Sequence, residues 1–136
     1  MPEAATDAIV IDASAVVEAL LGSAVGLAVR RRMRGSELHA PAHLDAEVLS
    51  AVGRLHRAGD LPAGAVTVAL RELACAPIAR HGLAGLLNDA WQSRDRLRLV
   101  DALYIALCEQ HGTRLLTTDG RLVRESQFAE LVPAER

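Results

Sequence analysis

Lysine is missing from this chain: all fifteen basic residues of the Lys-plus-Arg class are arginine. Chemistry that needs a primary amine is thereby excluded, Schiff-base formation and the Walker phosphate loop included. The arginine and alanine richness fits a GC-rich coding bias, so the replacement itself is not read as function. Aromatic residues are almost as scarce, with Trp91, Tyr104 and Phe128 the three in the chain. The core must therefore be aliphatic, and a base-stacking platform of the single-strand-binding kind is not expected. Two cysteines, Cys75 and Cys108, are too few and too far apart for a disulfide framework or a zinc site. Each lies in an apolar helical stretch and is expected to be a buried thiol. No run approaches the ~20 apolar residues of a membrane span, and Glu3 and Asp7 stand where a secretory leader would be basic. A reducing cytoplasm is the expected setting, with no membrane partner. A net charge of −2 gives no excess of either sign, so any contact with nucleic acid must be local or bridged by metal.

What the chain does have is length and pattern for one domain, expected over residues 1–136. Ala8 to Ile11 is a short β-branched run of the kind found in buried parallel strands, ending at Asp12. Helical stripes follow, first Ala15, Val16, Ala19 and Leu20, then a segment from about Ser23 that leaves its core face at Arg30-Arg31-Arg32-Met33-Arg34. That cluster reads as a solvated helix end, favourable at the negative pole of the dipole, ahead of a phosphate contact. Leu38 to Ala40 and Pro77 to Arg80 are candidate strands. Between them lie helices at 42–58, with Leu44, Val48, Val52 and Leu55 on one face, and from Pro62 to about Ala74. Leu83 to Ser93 is expected to be helical with Leu86, Leu87 and Trp91 on one face, and Asp101 to His111 with Leu103, Tyr104 and Leu107 inward. Arg114 to Thr118 and Ala129 to Val132 complete the strands, with a short helix after Asp119-Gly120. The alternation predicts an α/β sandwich on a mostly parallel sheet.

Four acids stand out in this frame: Asp12, Glu47, Asp101 and Asp119. Ligands of open parallel sheets bind beyond the carboxyl ends of the strands, where Asp12 and Asp119 fall. Each has a structural reading too. Asp12 can cap the helix it precedes, Asp119 can make a turn before glycine, and Asp101 can favour a helix start. Glu47 and Asp45 flank their helical stripe on opposite sides, and the helical wheel does not choose between them. Ser14 can cap the first helix or orient a water in the site. Gathered together, the acids would repel by ~4 kcal/mol per pair at ~4 Å and an effective dielectric near 20, and so would need a cation. All-oxygen ligation suits Mg²⁺ or Mn²⁺ and argues against zinc. His39, His43, His56, His81 and His111 show no metal-ligand spacing.

Taken in order, Val10-Ile11-Asp12-Ala13-Ser14, Leu44-Asp45-Ala46-Glu47-Val48, Leu99-Val100-Asp101-Ala102-Leu103-Tyr104-Ile105-Ala106-Leu107 and Leu115-Leu116-Thr117-Thr118-Asp119 resemble the PIN-domain ribonucleases. The likeness is greatest to the VapC toxins of toxin–antitoxin pairs and runs across nearly the whole chain. It implies that Asp12, Glu47, Asp101 and Asp119 form an acidic metal site for Mg²⁺ or Mn²⁺, and it favours Glu47 over Asp45. Ser14 matches the family's small hydroxyl position, and Thr117 or Thr118 a supporting hydroxyl. The resemblance further implies a three-layer α/β/α sandwich on a mostly parallel, five-stranded sheet, RNA hydrolysis by a metal-activated water, inhibition by a cognate antitoxin, and a homodimer.

Other readings fare less well. Haloacid-dehalogenase-like and receiver domains also place an Asp after the first strand, but both usually use a lysine. The former wants a second acid at position 14, where this chain has Ser14. A non-catalytic RNA- or protein-binding PIN module would have little reason to keep four acids together. An RNA-processing PIN nuclease without an antitoxin would share the site and differ in its partner.

Overall fold

A computed structural model of the chain describes residues 7–132. Its strands are β1 (Asp7–Ile11), β2 (Ser36–Pro41), β3 (Ile78–His81), β4 (Arg114–Thr117) and β5 (Ala129–Leu131). The helices are α1 (Ala13–Leu21), α2 (Ala24–Met33), α3 (Leu44–Arg57), α4 (Ala63–Cys75), α5 (Leu87–Gln92), α6 (Leu99–His111) and α7 (Gly120–Glu125). All four strand pairings are parallel, in the order β3-β2-β1-β4-β5. Strands that pair in parallel need crossovers, which the intervening helices supply.

β1 is the centre of the sheet. Ile9, Val10 and Ile11 are all buried, and successive side chains point to opposite faces, so both faces of the strand are covered. This is the helix–sheet–helix sandwich expected from the alternation. On β1, β2 and β4 the covering element is α6, whose Ala102, Tyr104, Ile105, Ala106, Leu107 and Cys108 are buried. The core is aliphatic, with Tyr104 its largest fully buried side chain. Leu44, Val48 and Val52 form the buried stripe of α3.

α1 and α2 cross at close quarters. A methyl group at Gly26 would sit 1.9 Å from the carbonyl oxygen of Glu18, so only a residue without Cβ fits there. Ser23 caps α2, accepting from the Gly26 amide at 2.9 Å while donating to the Glu18 carboxylate.

Three expectations need correction. The 83–93 segment is broken: a 3₁₀ turn at Ala84–Leu86 precedes the short α5. Tightening to three residues per turn shifts the inward face, so Leu86 and Ala90 are buried while Leu87 and Trp91 stand 57% and 53% exposed. Cys75 is exposed rather than buried, because α4 buries only Ala69 and Leu73; Cys108 is buried as expected, and its burial pushes the thiol up to about 12. The arginine cluster ending α2 is not simply solvated. Arg30 donates to the Ala19 carbonyl and pairs with Glu72, and Arg32 pairs with Glu130 and Asp7, tying α2 to α1, α4, β5 and β1. Among the described residues, no single helix is long and apolar enough to cross a membrane.

Candidate active site

The strand order reverses direction between β1 and β4, because the chain builds outward to β3 and then returns to the other side of β1. At such a switch point the loops after neighbouring strands diverge and leave a crevice. Ile11 pairs with Leu116, and the Asp12 amide donates to the Leu116 carbonyl at 3.2 Å. Asp12 and Thr117 therefore leave the sheet side by side.

Asp12 is 7% exposed and caps α1, its Oδ1 accepting from the Ala15 amide at 3.0 Å and from the Ser14 hydroxyl at 2.6 Å. Its Oδ2 accepts from the Thr117 hydroxyl at 2.5 Å. Burial nevertheless pushes the Asp12 carboxyl up to about 6, against the pull of these three donors and with added repulsion from Asp101. The hydrogen bonds do not make up for the water lost on burial.

The other three acids reach the same cleft from separate elements. Asp101 is in the first turn of α6 and 8% exposed. Asp119 caps α7, accepting from the Arg121 amide at 2.9 Å, and its own amide donates to the Thr117 hydroxyl at 3.0 Å. Glu47, in the first turn of α3, accepts from the Tyr104 hydroxyl at 2.6 Å and lies 3.3 Å from His43 Nε2. Together with Ser14, Glu18, Arg54, Arg98, Tyr104 and Thr118 these acids line a cleft of about 340 Å³. Asp45 turns away and pairs with Arg80 at 3.0 Å, so of the two acids on the flanks of α3 it is Glu47 that faces the cleft.

A guanidinium lies across the acids. Arg121 contacts Asp101 Oδ2 at 3.0 Å and Asp119 Oδ2 at 3.2 Å, while Arg98 Nε donates to the same Asp101 oxygen at 3.0 Å. The hydrogen bond to Asp101 leads in raising the Arg121 pKa. One carboxylate oxygen thus takes two cationic donors.

Sequence reasoning missed Arg121, Tyr104 and His43 as parts of this site. Tyr104 was assigned to the core, and its ring is indeed 2% exposed, but its hydroxyl emerges at Glu47. The ring of His43 packs on that of Tyr104 at 4.7 Å between centroids, and its Nε2 contacts the Val100 carbonyl at 3.1 Å. The arginine cluster of α2 does not line this cleft.

Comparison with known proteins adds an independent line. A family model described as PIN domain matches residues 9–126. A curated protein named Ribonuclease VapC3, from Mycobacterium tuberculosis, is 52% identical over 124 residues, covering 90% of each chain. Ribonuclease VapC12 of the same organism is 38% identical over 116 residues, covering 85% of this chain and 90% of its own. Among solved structures, Mycobacterium tuberculosis VapC20, described as a sarcin-ricin loop cleaving toxin, matches with a TM-score of 0.69 at 20% identity. That match covers 92% of this chain and 99% of the other. A toxin–antitoxin complex from Klebsiella pneumoniae matches with a TM-score of 0.67 at 11% identity, covering 93% and 99% of the two chains. At such low identities the structural matches speak to the fold alone.

Proposed function

The chain belongs to the PIN-domain family, among its VapC ribonucleases, and from that premise we propose that it is an endoribonuclease toxin whose acidic cleft hydrolyses RNA phosphodiesters. The observation that carries the reading is the Arg121 guanidinium held between Asp101 and Asp119 in the same cleft as the buried carboxylate of Asp12. Carboxylates gathered from four elements, with a side-chain cation lying on two of them, fit a divalent ion with oxygen ligands. Mg²⁺ or Mn²⁺ would be held by Asp12, Asp101 and Asp119, with Glu47 lining the same cleft. Bound there, the ion would activate water and stabilise charge on the phosphoryl oxygens.

The chain's own groups do the positioning. Ser14 and Thr117 hold both oxygens of Asp12, so its carboxylate has one orientation. Thr117 also fixes the Asp119 backbone, which couples the two acids through a single hydroxyl. Tyr104 and His43 orient Glu47. Arg54 and Arg98 line the cleft and are suited to the substrate's phosphates, since a guanidinium can donate to two phosphate oxygens at once. Attack by water rather than by the ribose 2′-hydroxyl would leave 5′-phosphate and 3′-hydroxyl ends.

A cognate antitoxin that blocks the cleft, a homodimer, and action in the cytoplasm complete the proposal. The 52% identity to a named VapC ribonuclease supports it.

Purified protein incubated with total RNA and Mg²⁺ or Mn²⁺ should yield discrete fragments. EDTA and the Asp101→Ala variant should each reduce cleavage to background, with the variant's circular dichroism unchanged. Cleavage at the normal rate by folded Asp101→Ala protein would remove that residue from the mechanism.

A further inference from the structure

Away from the acidic cleft, the fold assembles three histidines that lie far apart in sequence. His39 lies on β2, His81 ends β3 and His111 ends α6. Alternation along the paired strands puts His39 and His81 on one face of the sheet, through the register Pro41↔His81. His111 reaches this face from the helix end opposite to Asp101. Ten residues of α6 separate the two, about 15 Å at 1.5 Å per residue, so the cluster is distinct from the nuclease centre.

The three rings form a closed triangle. Their centroids are 5.1 Å apart for His39–His81, 5.7 Å for His39–His111 and 5.0 Å for His81–His111. Imidazoles bound at Zn–N distances of about 2.0–2.1 Å around a tetrahedral ion have centroids about 5 Å apart, so the rings already have the spacing of a three-histidine site. His39 Nδ1 faces His81 Nε2 at 2.8 Å, and its Nε2 contacts Glu37 Oε1 at 2.7 Å. A carboxylate on the outer nitrogen is the usual partner of a metal-binding histidine, because it fixes the tautomer and makes the inner nitrogen more basic. His39 is mostly buried, with its side chain 13% exposed. Burial and the two neighbouring rings lower the pKa of His81, which favours the neutral, electron-donating imidazole. As they stand, no three His, Cys, Asp or Glu side chains among the described residues form a group that could hold a metal ion. The His39–His81 hydrogen bond occupies two of the nitrogens, and small ring rotations would have to free them.

We propose that His39, His81 and His111 form a second metal site, for a nitrogen-preferring transition ion such as Zn²⁺, Ni²⁺ or Co²⁺, with Glu37 as the orienting carboxylate. Ligand type separates it from the acidic cleft: imidazole selects these ions, and carboxylate oxygen suits Mg²⁺ or Mn²⁺. The ion would join the end of α6 to β2 and to the edge strand β3. It would brace the helix whose other end carries Asp101.

The test is a Co²⁺ titration of the full chain with the acidic cleft kept saturated by excess Mg²⁺, followed by visible absorption. One equivalent should produce the intense bands of tetrahedral, nitrogen-ligated Co²⁺, and Zn²⁺ should bleach them. His81→Ala and His111→Ala should each abolish the bands; His111 is an exposed helix end, so that variant is expected to fold, as circular dichroism would verify. Glu37→Gln should weaken binding by about 10-fold, and Asp101→Ala should leave the bands intact. Zn²⁺ should also raise the melting temperature of the wild type but not of His111→Ala. Absence of the bands in the wild type, or their persistence in folded His81→Ala and His111→Ala proteins, would overturn the proposal.

Discussion

At the scale of single residues, Tyr104 carries two duties along one side chain. Its ring fills the core and its hydroxyl holds Glu47 at 2.6 Å, and burial raises its pKa beyond any titration in the working range. Tyr104→Phe keeps the ring and deletes the hydroxyl. We expect about a 10-fold fall in kcat, equivalent to about 1.4 kcal/mol of barrier, with KM little changed. An equal loss in Tyr104→Phe and Glu47→Ala, with no further loss when the two are combined, would show that the tyrosine acts through the glutamate. Asp12 makes a second prediction. Its pKa is raised from 3.8 to about 6 in the folded state, so the native protein binds the proton more tightly than the unfolded chain. In EDTA, that contribution to stability is fully present below pH 3.8 and is lost as pH rises through about 6. Urea midpoints should therefore show a component that declines across this window, absent in Asp12→Asn. Asp12, Asp101 and Asp119 stood out because each adjoins a strand end or helix start in sequence, whereas Glu47, inside its helix, was separated from Asp45 only by the family resemblance. Arg121 was not legible, since its role depends on a carboxylate 20 residues away on another helix. The histidine cluster was equally silent, because its members come from three different elements.

At the scale of elements, most boundaries were readable within a residue or two, because aliphatic periodicity and end signals agreed. The α6 stop at Gly112, which takes the left-handed φ of 60°, is one such signal. The exception is instructive. For 83–93 a helical wheel assumes constant pitch, and the 3₁₀ turn breaks that assumption in mid-segment, sending Trp91 outward to stack under Arg94 at 4.7 Å. The α1–α2 crossing yields the next prediction. Replacing Gly26 by Ala gains about 1 kcal/mol of helix propensity, but the new methyl collides with backbone, which cannot rotate away as a side chain can. The clash, at about 3 kcal/mol, should outweigh that gain and leave a net loss of about 2 kcal/mol, measured as a lower urea midpoint. A Gly26→Ala protein as stable as the wild type would mean that the two helices can separate at little cost.

At the scale of the whole molecule, the cleft gathers four carboxylates in a protein of net charge −2, a concentration that Arg98 and Arg121 offset in part and that the proposed cation would relieve further. Added Mg²⁺ should raise the melting temperature in a concentration-dependent way, and the rise should be smaller in Asp101→Ala. Equal shifts in both proteins would mean that the ion acts elsewhere. The fold class was legible at this scale because strand and helix patterns alternate along the entire chain. The pairing of β1 with β4 was less so, since strand order depends on contacts no local window contains.

That pairing has a consequence in time. The Asp12 carboxylate is held by a threonine 105 positions further along the chain, and Asp119 and Arg121 come later still. A ribosome making this protein releases the first acid early and the groups that orient it near the end. Until β4 has docked beside β1, Asp12 has only its local partners, Ser14 and the Ala15 amide. Under the proposed function the nascent chain would be harmless to RNA for most of its synthesis, and an inhibitor would be needed only once residue 121 has emerged.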